Sequence, residues 1–302
     1  MEGIAMSGSR TPFGDMLTAM ITPFDDERRV DYDRAARLAD YLVSHGSDGL
    51  VVTGTTGESP TLTDDEKLAM YRTVLDAVGK RAHVVAGTGT YDTQHSIELS
   101  AAAAEIGVHG IMAVTPYYSR PSQDGLLAHF STIADAVELP MIVYNIPGRS
   151  ARLIEIPTLV ELAGHMRIVA TKDAVDDPAY TARSRMALPE GFAIYSGSDI
   201  YTLPQLAVGA VGVISVASHF VGPQIKKMIA AYNSGDVGEA RRIQQGLIPI
   251  FDACFVEPNP MPTKAGLTAL WESVGAPRLP LVPAQPDTTQ MIKDALGIAQ
   301  QL

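Results

Sequence analysis

The chain has 302 residues, enough for one large α/β domain. Apolar residues make up 46% and charged ones 19%, and 34 acidic against 23 basic side chains leave a net charge of −11, so nucleic acid and anionic membranes are excluded as natural partners. A single cysteine, Cys254, excludes an internal disulfide and a multi-cysteine metal site and fits a reducing compartment, so a cytoplasmic location is expected.

Met1 to Gly14 hold neither the apolar segment of a signal peptide nor a basic amphipathic helix, so no export or transit signal is expected, and residues 1–15 read as a flexible arm. Short apolar, β-branched runs then recur: Leu17–Thr22, Gly49–Thr53, His83–Gly87, Gly110–Thr115, Met141–Asn145, Arg167–Lys172, Phe192–Ser196 and Val211–Val216. Most lack apolar/polar alternation, as strands buried on both faces of a parallel sheet do. Helical patterns lie between them. Thr63-Asp64-Asp65-Glu66 is a capping box ahead of a stripe of Leu68, Tyr71, Val74, Leu75 and Val78. Thr93 opens an alanine-rich helix ending near Gly107, Leu126, Leu127, Phe130, Ile133 and Val137 form another apolar face, and Asp177-Pro178 caps a further helix. Eight such β units predict a (β/α)8 TIM barrel over residues 1–235, with a doubly wound open sheet as the competing architecture. Residues 236–302, with Pro249, Pro258, Pro260 and Pro262, read as an appended helical region packed on the barrel. No apolar stretch reaches the roughly 20 residues of a membrane span.

In such a barrel, chemistry sits at the carboxyl ends of the strands. Five of the predicted strands end in unusual polar sequence: Gly54-Thr55-Thr56-Gly57-Glu58-Ser59, Thr115-Pro116-Tyr117-Tyr118, Tyr144-Asn145-Ile146-Pro147-Gly148-Arg149, Lys172-Asp173 and Ser196-Gly197-Ser198-Asp199. Lys172 closes a run that should be buried. Either it is structural and pairs with Asp173 or another acid, or desolvation keeps it as the neutral amine that attacks a carbonyl to form a Schiff base. The other lysines (67, 80, 226, 227, 264 and 293) read mostly as solvated residues of helix faces and loops. Tyr144, one strand away, is a core tyrosine or a proton shuttle. Thr55 and Thr56 form a turn or, with their backbone N–H groups, a carboxylate cradle. Arg149 is a surface cation or a fork for a second carboxylate. The glycine-rich stretches match neither a P-loop nor a dinucleotide fingerprint, and the seven histidines lack metal-ligand spacing. Neither cofactor nor metal is expected.

These residues together resemble the dihydrodipicolinate synthase/N-acetylneuraminate lyase family over nearly the whole chain, from Thr18–Phe24 to Phe255–Pro260. The motifs that carry the resemblance are GTTGES at 54–59, TPYY at 115–118 with RPSQDG at 120–125, YNIPGRS at 144–150 and GVISV at 212–216. The resemblance implies an imine between pyruvate and Lys172, followed by condensation with aspartate 4-semialdehyde to the cyclic precursor of diaminopimelate and lysine. It assigns Tyr144 as the acid/base, with Thr55 and Tyr118 completing a hydroxyl relay. Tyr118 would come from a neighbouring subunit, which implies at least a dimer and, by family habit, a homotetramer. It gives Thr56 the pyruvate carboxylate, Arg149 the semialdehyde carboxylate, and Gly197 and Ile214 backbone contacts. Two departures stand out. Ser198 replaces the first aspartate of the family's Ser-Gly-Asp-Asp. The regulatory positions where lysine-inhibited relatives place Asn, Glu and His read Tyr91, His95, Asp64 and Lys67, so weak or absent lysine feedback is expected. The competing readings are another pyruvate aldolase of the family, such as N-acetylneuraminate lyase or a sugar-acid aldolase/dehydratase, and a catalytically silent keto-acid-binding barrel.

Overall fold

A computed structural model describes residues 11–302. Eight parallel strands close into a barrel in sequence order: β1 (Met16–Ala19), β2 (Gly49–Val52), β3 (His83–Gly87), β4 (Gly110–Val114), β5 (Met141–Asn145), β6 (Ile168–Asp173), β7 (Ala193–Ser196) and β8 (Gly212–Ser215). β1 closes the ring on β8, with Leu17 beside Ile214. The open sheet is thereby excluded. The barrel strands sit within two residues of their expected starts, but several stop earlier. Met20 to Thr22, expected in the first strand, form the loop that follows it.

The described helices are α1 (Tyr32–Ser44), α2 (Asp64–Val78), α3 (Thr93–Ile106), α4 (Gln123–Ala136), α5 (Pro147–Ser150), α6 (Ile156–Ala163), α7 (Pro178–Ala187), α8 (Thr202–Ala207), α9 (Ser218–Asn233), α10 (Val237–Ala253), α11 (Met261–Leu270) and α12 (Pro286–Ala299). Their starts follow the expected capping chemistry. Glu66 N donates to Thr63 Oγ1 at 3.2 Å and Thr63 N donates back to Glu66 Oε2 at 2.9 Å, which closes the capping box of α2. Asp177 accepts from Ala179 N ahead of Pro178, and Gly107 ends α3 with φ +92°, a conformation that glycine adopts without strain.

Two expectations about lysines need correction. Lys67 lies on the buried side of α2 together with Met70, Tyr71, Val74 and Val78, while the expected Leu68 and Leu75 are only half-buried. The apolar stripe is therefore rotated, because Lys67 lies along a cavity wall and not in open solvent. Lys264, on α11, is also buried, against Glu58. A long aliphatic stem lets a lysine pass through apolar packing provided its ammonium meets an acid at the end.

Of the segment expected as an arm, residues 1–10 lie outside the described residues. Residues 11–15 instead fill the barrel floor. Phe13 is buried, edge-on to His83 at 5.8 Å between centroids. Tyr195 donates its hydroxyl to the Gly14 carbonyl at 2.8 Å, and Lys226 joins Asp15 at 2.5 Å to Asp48 at 2.8 Å. At the other end of the chain, Asp236 caps α10, and Ile243, Leu247, Ile250 and Ile292 of α10 and α12 share one apolar cluster with β1, β7 and β8. Among the described residues, no helix is long and apolar enough to cross a membrane.

Candidate active site

Lys172 lies near the carboxyl end of β6, level with Tyr144 on β5 and Tyr195 on β7. It is 4% exposed. The neighbouring acid is turned away and occupied: Asp173 accepts from Thr181 Oγ1 at 2.7 Å and from Val175 N at 3.1 Å. Alternation along a strand sends Lys172 and Asp173 to opposite faces, so the structural pairing with Asp173 fails. Nothing among the described residues ion-pairs with Lys172; its ammonium rests 4.3 Å from the centre of the Tyr144 ring. Burial, reinforced by Arg149 and only partly opposed by Asp199, brings its pKa down to about 8, so roughly a fifth of the amine is neutral near physiological pH, against about a thousandth for an ordinary lysine.

Tyr144 is buried, and burial pushes its phenol well above the ordinary value although the Arg149 charge pulls the other way. Its backbone carbonyl accepts from both the amide and the hydroxyl of Thr115 at 2.9 Å, which fixes the end of β5. The chain then turns through Pro147 into α5, one turn long, and that turn presents Arg149 at the rim. Among the described residues no carboxylate ion-pairs with Arg149, which leaves its fork free.

The loop after β2 holds Thr55 half-buried and Thr56 buried. Asn259 Nδ2 donates to Thr56 Oγ1 at 2.9 Å, so the hydroxyl oxygen is satisfied from behind and its proton is free to turn into the cavity. Gly197 lies where a Cβ would meet the Ala174 Cβ at 2.7 Å, so only glycine lets β7 and the loop after β6 approach. Next to it Asp199 is buried with a full set of donors, Ser215 Oγ at 2.5 Å and the amides of Val216 and Ala217 at 3.0 Å.

A cavity of about 710 Å³ brings together Thr55, Thr56, Tyr144, Arg149, Lys172 and Gly197. Asp176, Ser198, Asp199 and Asn259 also line it, and none of these four had been given a role from sequence. Asn259 could have been suspected from its place in the Phe255–Pro260 motif. Two expected residues stand elsewhere. Ile214 is buried in β8, outside the cavity lining. Tyr118 is 95% exposed at φ +70° and does not reach the Lys172 cavity of its own chain. A second cavity of about 550 Å³ shares Thr55, Tyr144 and Arg149 and extends to Asp64, Lys67, Tyr91 and His95. There Asp64 bridges Lys67 Nζ at 3.0 Å and His95 Nε2 at 2.7 Å. Burial works against it, but those two hydrogen bonds hold the Asp64 carboxyl below its ordinary value.

The family model for the dihydrodipicolinate synthetase family matches residues 12–299. The chain belongs to this family. It is 52% identical over 273 residues to the 4-hydroxy-tetrahydrodipicolinate synthase of Heliobacterium modesticaldum, covering 90% of this chain and 91% of that protein. The synthase of the same name from Synechococcus elongatus is 49% identical over 286 residues, 94% of this chain and 96% of the other. Among solved structures, the family's enzyme from Cyanidioschyzon merolae, crystallised with lysine bound, superposes with a TM-score of 0.93 at 43% identity, covering 96% of this chain and 99% of that one. Family membership places the closed barrel among dihydrodipicolinate synthases.

Proposed function

We propose that this chain condenses pyruvate with L-aspartate 4-semialdehyde to give 4-hydroxy-tetrahydrodipicolinate, the lyase step that leads to diaminopimelate and lysine. The observation that carries this reading is Lys172, an amine buried in one cavity with a buried phenol, a threonine hydroxyl and an arginine, neither cation ion-paired among the described residues. Relatives about 50% identical over more than nine-tenths of the chain bear the synthase name, which favours it over other aldolases.

Neutral Lys172 attacks the C2 carbonyl of pyruvate and water leaves, giving a protonated imine. The positive nitrogen draws electrons, so C3 loses a proton and becomes a carbon nucleophile without any cofactor. C3 then adds to the aldehyde carbon of the semialdehyde. The semialdehyde's amino group attacks C2, closes the ring and releases Lys172. Protons must be moved at several of these steps, and Tyr144 does that work with Thr55; the lining of one cavity by both supports this. Thr56 donates to the pyruvate carboxylate, Gly197 and Ile214 contribute backbone, and Arg149 takes the carboxylate of the semialdehyde. Tyr118 completes the relay in the neighbouring subunit of a homotetramer; its exposure on a single chain supports this. Sedimentation as a monomer would remove that part of the reading. The buried Cys254 thiol fits a cytoplasmic enzyme, which cell fractionation tests.

Turnover of pyruvate with aspartate 4-semialdehyde, set against N-acetylmannosamine as the competing aldehyde, tests the function. A strong preference for the semialdehyde is expected; preference for the amino sugar would move the chain to another aldolase of the family. Free lysine is expected to inhibit weakly or not at all. In the second cavity the acid that a lysine ammonium would need, Asp64, is already held by Lys67 and His95. Half-inhibition at micromolar lysine would overturn this expectation.

A further inference from the structure

The loop that carries Thr55 and Thr56 is bracketed by two non-glycine residues in the left-handed region, Thr53 at φ +52° and Glu58 at φ +57°. Such residues persist only where their surroundings hold them. Thr53 is held by α2 and β3: its hydroxyl donates to Tyr71 OH at 2.9 Å, which donates to the Gly87 carbonyl at 2.9 Å. Glu58 is held from outside the barrel. Its Oε1 meets Lys264 Nζ of α11 at 2.6 Å, with the two side chains 1% and 2% exposed. Its Oε2 accepts from Arg278 N at 2.8 Å. The Lys264 ammonium also lies 3.8 Å from the centre of the Phe24 ring, and the Arg278 guanidinium lies 4.6 Å from the same ring.

The loop itself adds few ties. Thr22 Oγ1 donates to the Gly57 carbonyl at 2.7 Å, and Asn259 reaches Thr56 from the same C-terminal stretch that leads into α11. Three of the loop's polar anchors, Asn259, Lys264 and the Arg278 amide, therefore come from residues 254–278, roughly two hundred positions downstream. A buried ion pair is seldom a large source of stability, because desolvating both charges offsets most of their attraction. Its positional value is greater: the Lys264 charge holds one carboxylate oxygen by proximity, outside hydrogen-bond geometry, the Arg278 amide holds the other by a directed hydrogen bond, and together they fix the backbone two residues after Thr56.

We propose that the buried Glu58–Lys264 pair is a positioning element for the pyruvate-carboxylate loop, through which the C-terminal helical region sets the affinity for pyruvate. Neither residue touches substrate. The inference rests on the proposed pyruvate imine at Lys172 but not on the identity of the aldehyde.

The test uses the full chain carrying Glu58→Gln with Lys264→Met, which removes both charges at nearly constant volume. Glu58→Gln alone is the milder second variant. Burial opposes the Lys264 charge and Glu58 supports it, and the balance leaves its pKa at about 8, so the lysine can shed its proton when Glu58 becomes neutral. Ile133→Ala, in the core beneath α4 and outside the C-terminal helical region, serves as a control for loss of stability away from the loop. The readout is the pyruvate concentration that gives half-maximal borohydride trapping at Lys172, followed by mass, together with KM for each substrate. We expect at least a tenfold rise in the pyruvate requirement in whichever variant folds. The trapped fraction at saturating pyruvate should be unchanged, KM for the aldehyde should change less than twofold, and Ile133→Ala should leave the pyruvate requirement unaltered. An unchanged pyruvate requirement in a folded variant, or an equal shift in Ile133→Ala, would overturn the proposal. Absence of any trapping in the unsubstituted protein would instead overturn the proposed function, so the two failures are distinguishable.

Discussion

Replacing Lys172 by alanine is expected to remove turnover entirely, a loss of roughly a millionfold or more, since covalent attachment of pyruvate is the source of the acceleration. The variant should fold, because Lys172 has no ion-pair partner among the described residues to strand, and removing a desolvated cation relieves the barrel interior. Borohydride in the presence of pyruvate should add no mass to it. A variant that still traps pyruvate would show that another amine is the nucleophile. The same amine sets the acid side of the pH profile. Its pKa is lowered to about 8, chiefly by burial, and protonation destroys its nucleophilicity. Activity at low pyruvate should therefore fall about tenfold per unit as pH drops below about 8. An acid limb centred near the ordinary lysine value would contradict the burial that the structure gives this group.

Changing Tyr144 to phenylalanine is expected to lower kcat by roughly 10²- to 10⁴-fold, the range typical of a lost general acid–base group. The ring and its packing under Lys172 stay, so pyruvate affinity should change little and the imine should still be trapped, more slowly. Burial raises the Tyr144 phenol, so it stays protonated across the working range and acts first as a donor. Equal losses in trapping amplitude and turnover would mean that the phenol shapes the site and does not move protons.

The barrel was legible because its strands are continuous apolar runs: Val84 to Gly87 and Met141 to Asn145 are buried along their length, and no surface pattern competes with them. Lys172 was legible for the same reason, as a charge at the end of such a run. Strand ends were less so. β6 continues through Asp173 because its backbone pairs with Asn145 and Ser196, a fact about neighbouring strands that one strand's sequence does not carry. The lysines show the limit best. Lys264 looks like any lysine on a helix; what makes it internal is Glu58, 206 positions earlier, and the Phe24 ring beneath it. Asn259 and Thr56 meet across a similar separation. Phe13 read as part of an arm because its partners, His83 and Tyr195, come from distant strands.

That floor has a practical consequence for handling the protein. The segment from Thr11 to Asp15 enters at the amino ends of the strands, whereas Lys172 and Arg149 open at the opposite end. A purification handle, fluorophore or surface tether joined directly to Thr11 therefore starts on the side away from the mouth. Enzyme anchored in that orientation presents its opening to the bulk liquid, with diffusion of both small reactants unobstructed.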